Sequence, residues 1–265
     1  MKPLKNYLAF IRDNFTIIDK NGEEVPFEPN AVQSKYAEQA SGKDIILKAR
    51  QQGFSSLILA IFTTDFILKE NSRSVIVADV DENAQELLDR VKHYIRSYEH
   101  INKVKVPLKY NSKNELYNSA TNARYTIGTA KSTEFGRSKT ITNLHLSEAA
   151  FYPNLGKILK GAGNAVVPQG RYILETTANG YNEFKQLWDE CELGNKNFKP
   201  LFFKASDFYT DEQLTNKRRE AITEADYLQE YPENPADAFQ TSGQCYFNLE
   251  SLRQLINLTK EPVTA

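Results

Sequence analysis

The chain has 265 residues, 40% hydrophobic and 25% charged, with a formal net charge of −1, which fits one large core with a small appended subdomain. Its best apolar run, Leu57 to Leu68, is interrupted by Thr63, Thr64 and Asp65 and falls short of the roughly 18 residues a membrane span needs. "MKPLKNYLAFIRDNF" lacks the apolar core and cleavage site of a signal peptide, and Cys191 and Cys245 form neither a metal-ligand spacing nor a disulfide framework, so a reducing cytoplasm and no membrane are expected.

In chain order, "FTIIDKNGEEVPFEPNAVQSKYAEQASG" reads as a hairpin turning at Asn21–Gly22, then a short helix from about Pro29 to Ala40, ended by Gly42. "DIILKA" (44–49) reads as a buried strand and "SSLILAIFTTDFILKE" (55–70) as an apolar helix. "SVIVAD" (74–79) is a strand, followed by the helix "DENAQELLDRVKHYIRSY", which Asp81 is placed to cap. Residues 115–130 read as a second hairpin, turning near Thr121–Asn122. "ITNLHLSE" (141–148) and "RYILETTA" (171–178) are strands that end in polar residues; the helix "YNEFKQLWDECELG" and a last strand, "PLFFKAS", follow. Alternation of this kind predicts an α/β fold, a mostly parallel sheet covered by helices on both faces. Beyond Ser206 the chain is acidic and helical and then Pro-containing, a lid or linker segment.

The near-zero net charge conceals an asymmetry. Residues 90–139 carry eleven Lys/Arg against three acids, and residues 206–240 carry nine acids against three bases. The basic stretch, with Lys103, Lys105 and Lys109 as its expected contacts, is suited to a polyanion; a solvated charged surface is the alternative reading.

Three strand ends carry chemistry, where open parallel sheets bind ligands. In "KARQQGFSS" (48–56) the glycine allows close backbone approach, the following helix offers N–H groups, and Ser55 or Ser56 offers a hydroxyl to Mg²⁺. Against G-x-x-x-x-G-K-[ST], Lys48 stands for the first Gly and Phe54 for the Lys, which leaves Lys48 and Arg50 as the charges of the loop. In "TNLHLSEAAF" Glu148 follows an apolar strand, as the water-orienting carboxylate of a Walker B motif does, with Ser147 in the metal-side place; either residue could instead cap a helix. In "ILETTANG", Thr176, Thr177 and Asn179 are positioned to sense a γ-phosphate, or form an ordinary polar loop.

In this order and spacing, the three segments resemble the ATPase domain of phage large terminase subunits, a P-loop NTPase of the RecA-like (ASCE) kind. "KARQQGFS" is similar to that family's phosphate loop, with its basic residue early; "FEPNAVQ" resembles its adenine-recognition segment through Phe27, Asn30 and Gln33; and "ETTAN" resembles its coupling motif. The resemblance spans about residues 25 to 243. It implies ATP with Mg²⁺ bound by Lys48, Arg50, Gln51, Gln52, Gly53, Phe54, Ser55 and Ser56, with Ser55 and Ser147 on the metal side. It further implies catalysis by Glu148, with Arg50 and with Arg137 as a finger reaching a neighbouring subunit's nucleotide; for Arg137 a surface arginine near DNA or an acidic patch is the alternative reading.

The implied partners are double-stranded DNA, a portal protein on a prohead, a small terminase subunit and further copies in a homo-oligomeric ring, in the cytoplasm of an infected bacterium. An ATPase core is expected over 1–205 and a lid or linker over 206–265. The about 20 residues after "FQTSG" are too few for the nuclease domain that follows in the family. A RecA-like helicase or repair ATPase, and a non-catalytic nucleotide-dependent DNA clamp, are the competing readings.

Overall fold

A computed structural model describes residues 4–131 and 140–239. The N-terminal helix α1 (Lys5–Asn14) leads into the hairpin β1 (Thr16–Ile18) and β2 (Glu24–Pro26), then α2 (Ala31–Gln39). The first strand of the main sheet, β3 (Lys43–Lys48), runs into α3 (Phe54–Leu68), followed by β4 (Arg73–Ala78) and the long α4 (Asp81–Asn102). A meander of β5 (Leu108–Asn111), β6 (Glu115–Asn118) and β7 (Ala123–Thr129) precedes β8 (Ile141–Ser147), α5 (Leu155–Gly161), β9 (Val166–Thr176), α6 (Glu183–Glu192) and β10 (Lys199–Phe203). Three helices end the described chain: α7 (Asp211–Glu220), α8 (Glu224–Glu230) and α9 (Pro235–Ala238).

The eight-stranded sheet has the order β10-β3-β9-β8-β4-β7-β6-β5. Strands β10, β3, β9, β8, β4 and β7 run parallel, and only the β7-β6-β5 edge is antiparallel. Because β3 and β4 are consecutive in the chain but separated by β9 and β8, the sheet reverses its order here, and a crevice forms beyond the carboxyl ends of β3, β9 and β8.

Both sheet faces are covered. Helix α3, with twelve buried residues among its fifteen, is the centre of one core together with α1, α2 and α4. Such a helix carries no polar face because it is packed all round. The other core joins Ile45, Leu47, Leu144 and Leu174 to Trp188 and Phe184 of α6.

Both predicted hairpins are present; the second turns with Asn122 in the left-handed region at φ 52°. Asp81 is not the cap of α4: Val80 holds that position, and Asp81 sits in the first turn, where its charge still favours the helix dipole. Helix α1 and strand β5 are further elements; α1 is seated by only two buried side chains, Tyr7 and Ile11, and β5 is a mostly exposed edge. Among the described residues no helix is long and apolar enough to cross a membrane.

Candidate nucleotide site

The loop between β3 and α3 is shaped from both sides. Gly53 lies at φ 80°, in the left-handed region, and a Cβ added there would stand 2.8 Å from Gln33 Nε2, so only glycine fits without strain. Gln33 donates to the Gly53 carbonyl at 2.7 Å, and Asn30 donates to the Gln52 carbonyl at 3.1 Å. The same two residues form the capping box that starts α2. "FEPNAVQ" thus braces the β3–α3 loop directly, with Gln33 buried and its amide engaged at both ends. Phe27 is 2% exposed, set against Tyr94.

Phe54, in the place of the lysine of a standard phosphate loop, points into the core and packs on Phe203 at 4.7 Å. Gln51 is exposed at φ 58°, and Gln52 is buried and donates to the Lys204 carbonyl. The N–H groups of residues 51–56 find no acceptor among the described residues, a row of donors at the start of a helix that favours an anion. An open cleft of about 490 Å³ lies over them, walled by Ser147, Glu148 and, from α4, Asn83 and Arg90.

Positive charge comes from Lys48, at the end of β3. Its side chain is 5% exposed and stands between two carboxylates, Glu148 Oε1 at 3.2 Å and Glu175 Oε2 at 3.3 Å. Burial pulls the Lys48 pKa down, but the two carboxylates outweigh it and hold the ammonium well above the ordinary lysine range. Arg50 is exposed and paired with Glu230 of α8, while its backbone N–H donates to the Glu230 carbonyl and its carbonyl accepts from Tyr209. The acidic helical segment is therefore fastened to the outer end of the β3–α3 loop.

Glu148 follows β8 in a left-handed turn, at φ 55°, which swings its side chain over the cleft. Its Oε2 accepts from the Thr177 N–H and the Thr176 hydroxyl, both at 3.3 Å. Burial raises the Glu148 pKa, Lys48 opposes it and the Glu175 charge adds to it, with the net direction upward. Thr176 and Thr177 thus hold the carboxylate, while Asn179 donates to the Ala150 carbonyl at 3.2 Å and fixes the next loop.

Sequence reasoning overlooked Glu175. Fully buried in β9, it accepts from Ser55 Oγ at 2.7 Å, Ser147 Oγ at 2.8 Å and His145 Nε2 at 3.3 Å, all on Oε1. Burial would raise its pKa, but Lys48 and His145 hold it well below the usual carboxylate range. Its signal was a carboxylate inside an otherwise apolar strand, a placement that is rare without a partner.

The donor set suits a magnesium nucleotide: N–H groups without an acceptor among the described residues, the Ser55 hydroxyl, and the buried Glu175 carboxylate, whose Oε2 has only the Lys48 ammonium beside it among the described residues. Among the described residues no group of three His, Cys, Asp or Glu side chains could hold a metal alone. A cation here would share its ligands with phosphate oxygens, as Mg²⁺ commonly does.

Arg137 lies outside the described residues. The chain leaves the sheet after β7 at the carboxyl edge, where Ala130 donates to the Ala78 carbonyl, and returns at the opposite edge at the start of β8. Lys103, Lys105 and Lys109 are exposed beyond the C-terminal end of α4, Lys105 beside Glu99.

No family model matches the chain. Among solved structures, the large terminase ATPase domain of Thermus phage P74-26 superposes with a TM-score of 0.59 at 16% identity, over 77% of this chain and 93% of that one. The large terminase of bacteriophage HK97 superposes with a TM-score of 0.61 at 16% identity, over 99% of this chain and 53% of that one. The large terminase of a thermophilic bacteriophage, in complex with ADP, gives 0.55 at 14% identity over 73% and 49%. The fold is that of phage large terminase ATPase domains, and the chain spans about half the length of the HK97 protein and of the ADP-bound one.

Proposed function

We propose that the chain is the ATPase motor of viral DNA packaging, hydrolysing ATP to move double-stranded DNA into a prohead. The observation that carries the reading is the cluster at one sheet edge: Glu148, held by Lys48 and Thr177, faces the row of free N–H groups that begins α3, with Ser55 between them. The nucleotide's phosphates would lie on those N–H groups, with the Ser55 hydroxyl on the metal side and Ser147 behind it; bound Mg²⁺ supplies neutralisation of phosphate charge. Glu148 would orient the attacking water and take its proton, a task suited to a carboxyl whose pKa is already raised. Lys48 holds Glu148 in place and adds positive charge to the cleft, and Arg50 adds a second charge at the loop's outer end. Asn30 and Gln33, through their hold on the loop, and Phe27, packed behind them on Tyr94, would form the base-side wall, and Thr176, Thr177 and Asn179 would couple the site to the following helix.

The working form is a homo-oligomeric ring on a portal, supplied with DNA by a small terminase subunit in the infected cell's cytoplasm. DNA would meet Lys103, Lys105 and Lys109 through its phosphates alone, because a motor must pass any sequence. Arg137 would act on a neighbouring subunit's ATP, stabilising transition-state charge by about 10³–10⁵ in rate. Mixing Arg137→Ala with Glu148→Ala under ring-forming conditions should then recover part of the activity lost by each; assembled mixed rings with no recovery would remove Arg137 from that role.

The reading itself is tested by ATP turnover with and without duplex DNA and proheads. Turnover stimulated by both, without strand separation and with salt-sensitive, sequence-indifferent DNA binding, is the expected result. Nucleotide binding with no turnover in the assembled state would make the chain a clamp, and strand separation would make it a helicase.

A further inference from the structure

In strand β8 the residue beside the phosphate-loop serine is Ser147, a neutral hydroxyl where a phosphate-bound cation calls for a carboxylate. The neighbouring strand carries one at the same level. Ser147 and Glu175 are register partners in the parallel β8–β9 pair, so their side chains stand side by side on one face of the sheet. The short Ser147 side chain carries no carboxylate of its own into this space, and the longer arm of Glu175 fills it, accepting from the Ser147 hydroxyl at 2.8 Å. The same oxygen accepts from the Ser55 hydroxyl at 2.7 Å, which leaves the lone pairs of Ser55 Oγ free for a cation.

We propose that Glu175 supplies from β9 the metal-organising carboxylate that β8 lacks at Ser147, acting as a positioning residue through Ser55. The carboxylate has moved one strand sideways within the same cluster. Two features set it apart from a mere counter-ion for Lys48. A counter-ion for Lys48 already exists in Glu148, at 3.2 Å. Glu175 also turns only Oε2 to the ammonium, at 3.3 Å, and spends Oε1 on three other neighbours, Ser55, Ser147 and His145. The arrangement orients the hydroxyl of a serine that lines the cleft, which is what an outer-shell ligand does for a metal site.

The inference rests on the ATPase reading, and the test separates the two. Binding of a non-hydrolysable ATP analogue is measured calorimetrically with Mg²⁺ and with EDTA, and Mn²⁺ binding to the analogue complex is followed by electron paramagnetic resonance. Wild-type chain should bind the analogue more tightly with metal; a chain that binds it in neither condition overturns the ATPase reading and this one with it. Glu175→Gln should weaken Mn²⁺ binding about 10- to 100-fold, the usual cost of losing an outer-shell partner, and weaken metal-free binding far less. Ser147→Asp added to Glu175→Gln should restore most of the metal affinity, because the carboxylate returns on the adjacent strand. Glu175→Asp keeps the charge opposite Lys48 while withdrawing it from Ser55, and should also weaken Mn²⁺ binding, so a folding defect in Glu175→Gln does not decide the matter. Undiminished Mn²⁺ affinity in Glu175→Gln or Glu175→Asp, or a folded double variant that regains none, would overturn the proposal while leaving the ATPase reading standing.

Discussion

The two edges of the sheet each hold a buried cluster of charges, and they are built to opposite ends. At the amino edge, Asp65 of α3 is fully used: Oδ1 accepts from Tyr7 at 2.5 Å and faces Lys69 at 2.7 Å, and Oδ2 accepts from Arg171 at 2.5 Å and Asn143 at 3.1 Å. Tyr7, which Arg171 and Lys69 also contact, ties α1 into the same knot. At the carboxyl edge, Glu175 has one oxygen without a hydrogen bond, Lys48 is shared between two carboxylates, and the cluster opens onto a cleft. Both clusters contain a buried acid, a buried base and a polar residue of β8, and each leaves a buried atom without a hydrogen bond among the described residues, Arg171 Nε in the first and Glu175 Oε2 in the second; what separates them is that the second opens onto a cleft. A cluster closed off by packing serves the fold alone; one that lines a cleft has the placement expected of a site, which is the reading proposed above.

The comparison can be broken most severely at the closed edge. Asp65→Asn leaves Arg171 buried without its counter-ion and should lower unfolding stability by about 3–5 kcal/mol, measured by denaturant titration, with nucleotide affinity little changed. The contribution is also pH-dependent. Burial would raise the Asp65 pKa, but Arg171 and Lys69 hold it below the ordinary value. A depressed carboxyl contributes stability that is present above its unfolded pKa of about 3.9 and is lost as pH falls through the folded value. Wild-type stability should therefore fall more steeply than that of Asp65→Asn as the pH drops below about 4. Parallel curves would deny the closed edge its electrostatic role.

At the open edge, smaller backbone effects should carry larger functional ones. Gly53→Ala forces a side chain into the left-handed region beside Gln33, costing about 1–2 kcal/mol for the conformation alone, and should weaken nucleotide binding by displacing the loop. Unchanged affinity would show that the loop's shape is not what binds. Asn30→Ala removes the cap of α2 and the Gln52 contact together, an expected loss of about 1 kcal/mol by thermal unfolding. The smallest effect is expected for Arg50→Ala, whose exposed pair with Glu230 should be worth no more than about 1 kcal/mol. A much larger loss would mean that the acidic segment is held to the loop by that pair rather than by its backbone contacts.

The order of strands and helices was legible because each element carries its own period or its own apolar run, as in "DIILKA" and "SSLILAIFTTDFILKE". The glycine turn between them marked the loop for the same local reason. Glu148 was legible as the polar end of an apolar strand. Glu175 was not, although it lies one residue before Thr176: its partners Lys48, Ser55 and Ser147 come from three distant segments that only the order β3-β9-β8 places together. The bracing role of Asn30 and Gln33 was hidden likewise, since their acceptors are backbone carbonyls that no motif names. Helix α1 escaped notice because only Tyr7 and Ile11 of its side chains are buried, and the Tyr7 hydroxyl acts in a cluster assembled from four elements.

The claim that the carboxyl edge is a working hydrolytic site is tested most directly by one variant measured two ways. Glu148→Gln keeps the shape of the side chain and its place over the cleft while removing the base. ATP turnover in the assembled, DNA-stimulated state should fall about 10²–10⁴-fold, with binding of the ATP analogue retained. Near-normal turnover by Glu148→Gln would contradict the account, because the carboxylate at the end of β8 would then not be the group that activates water.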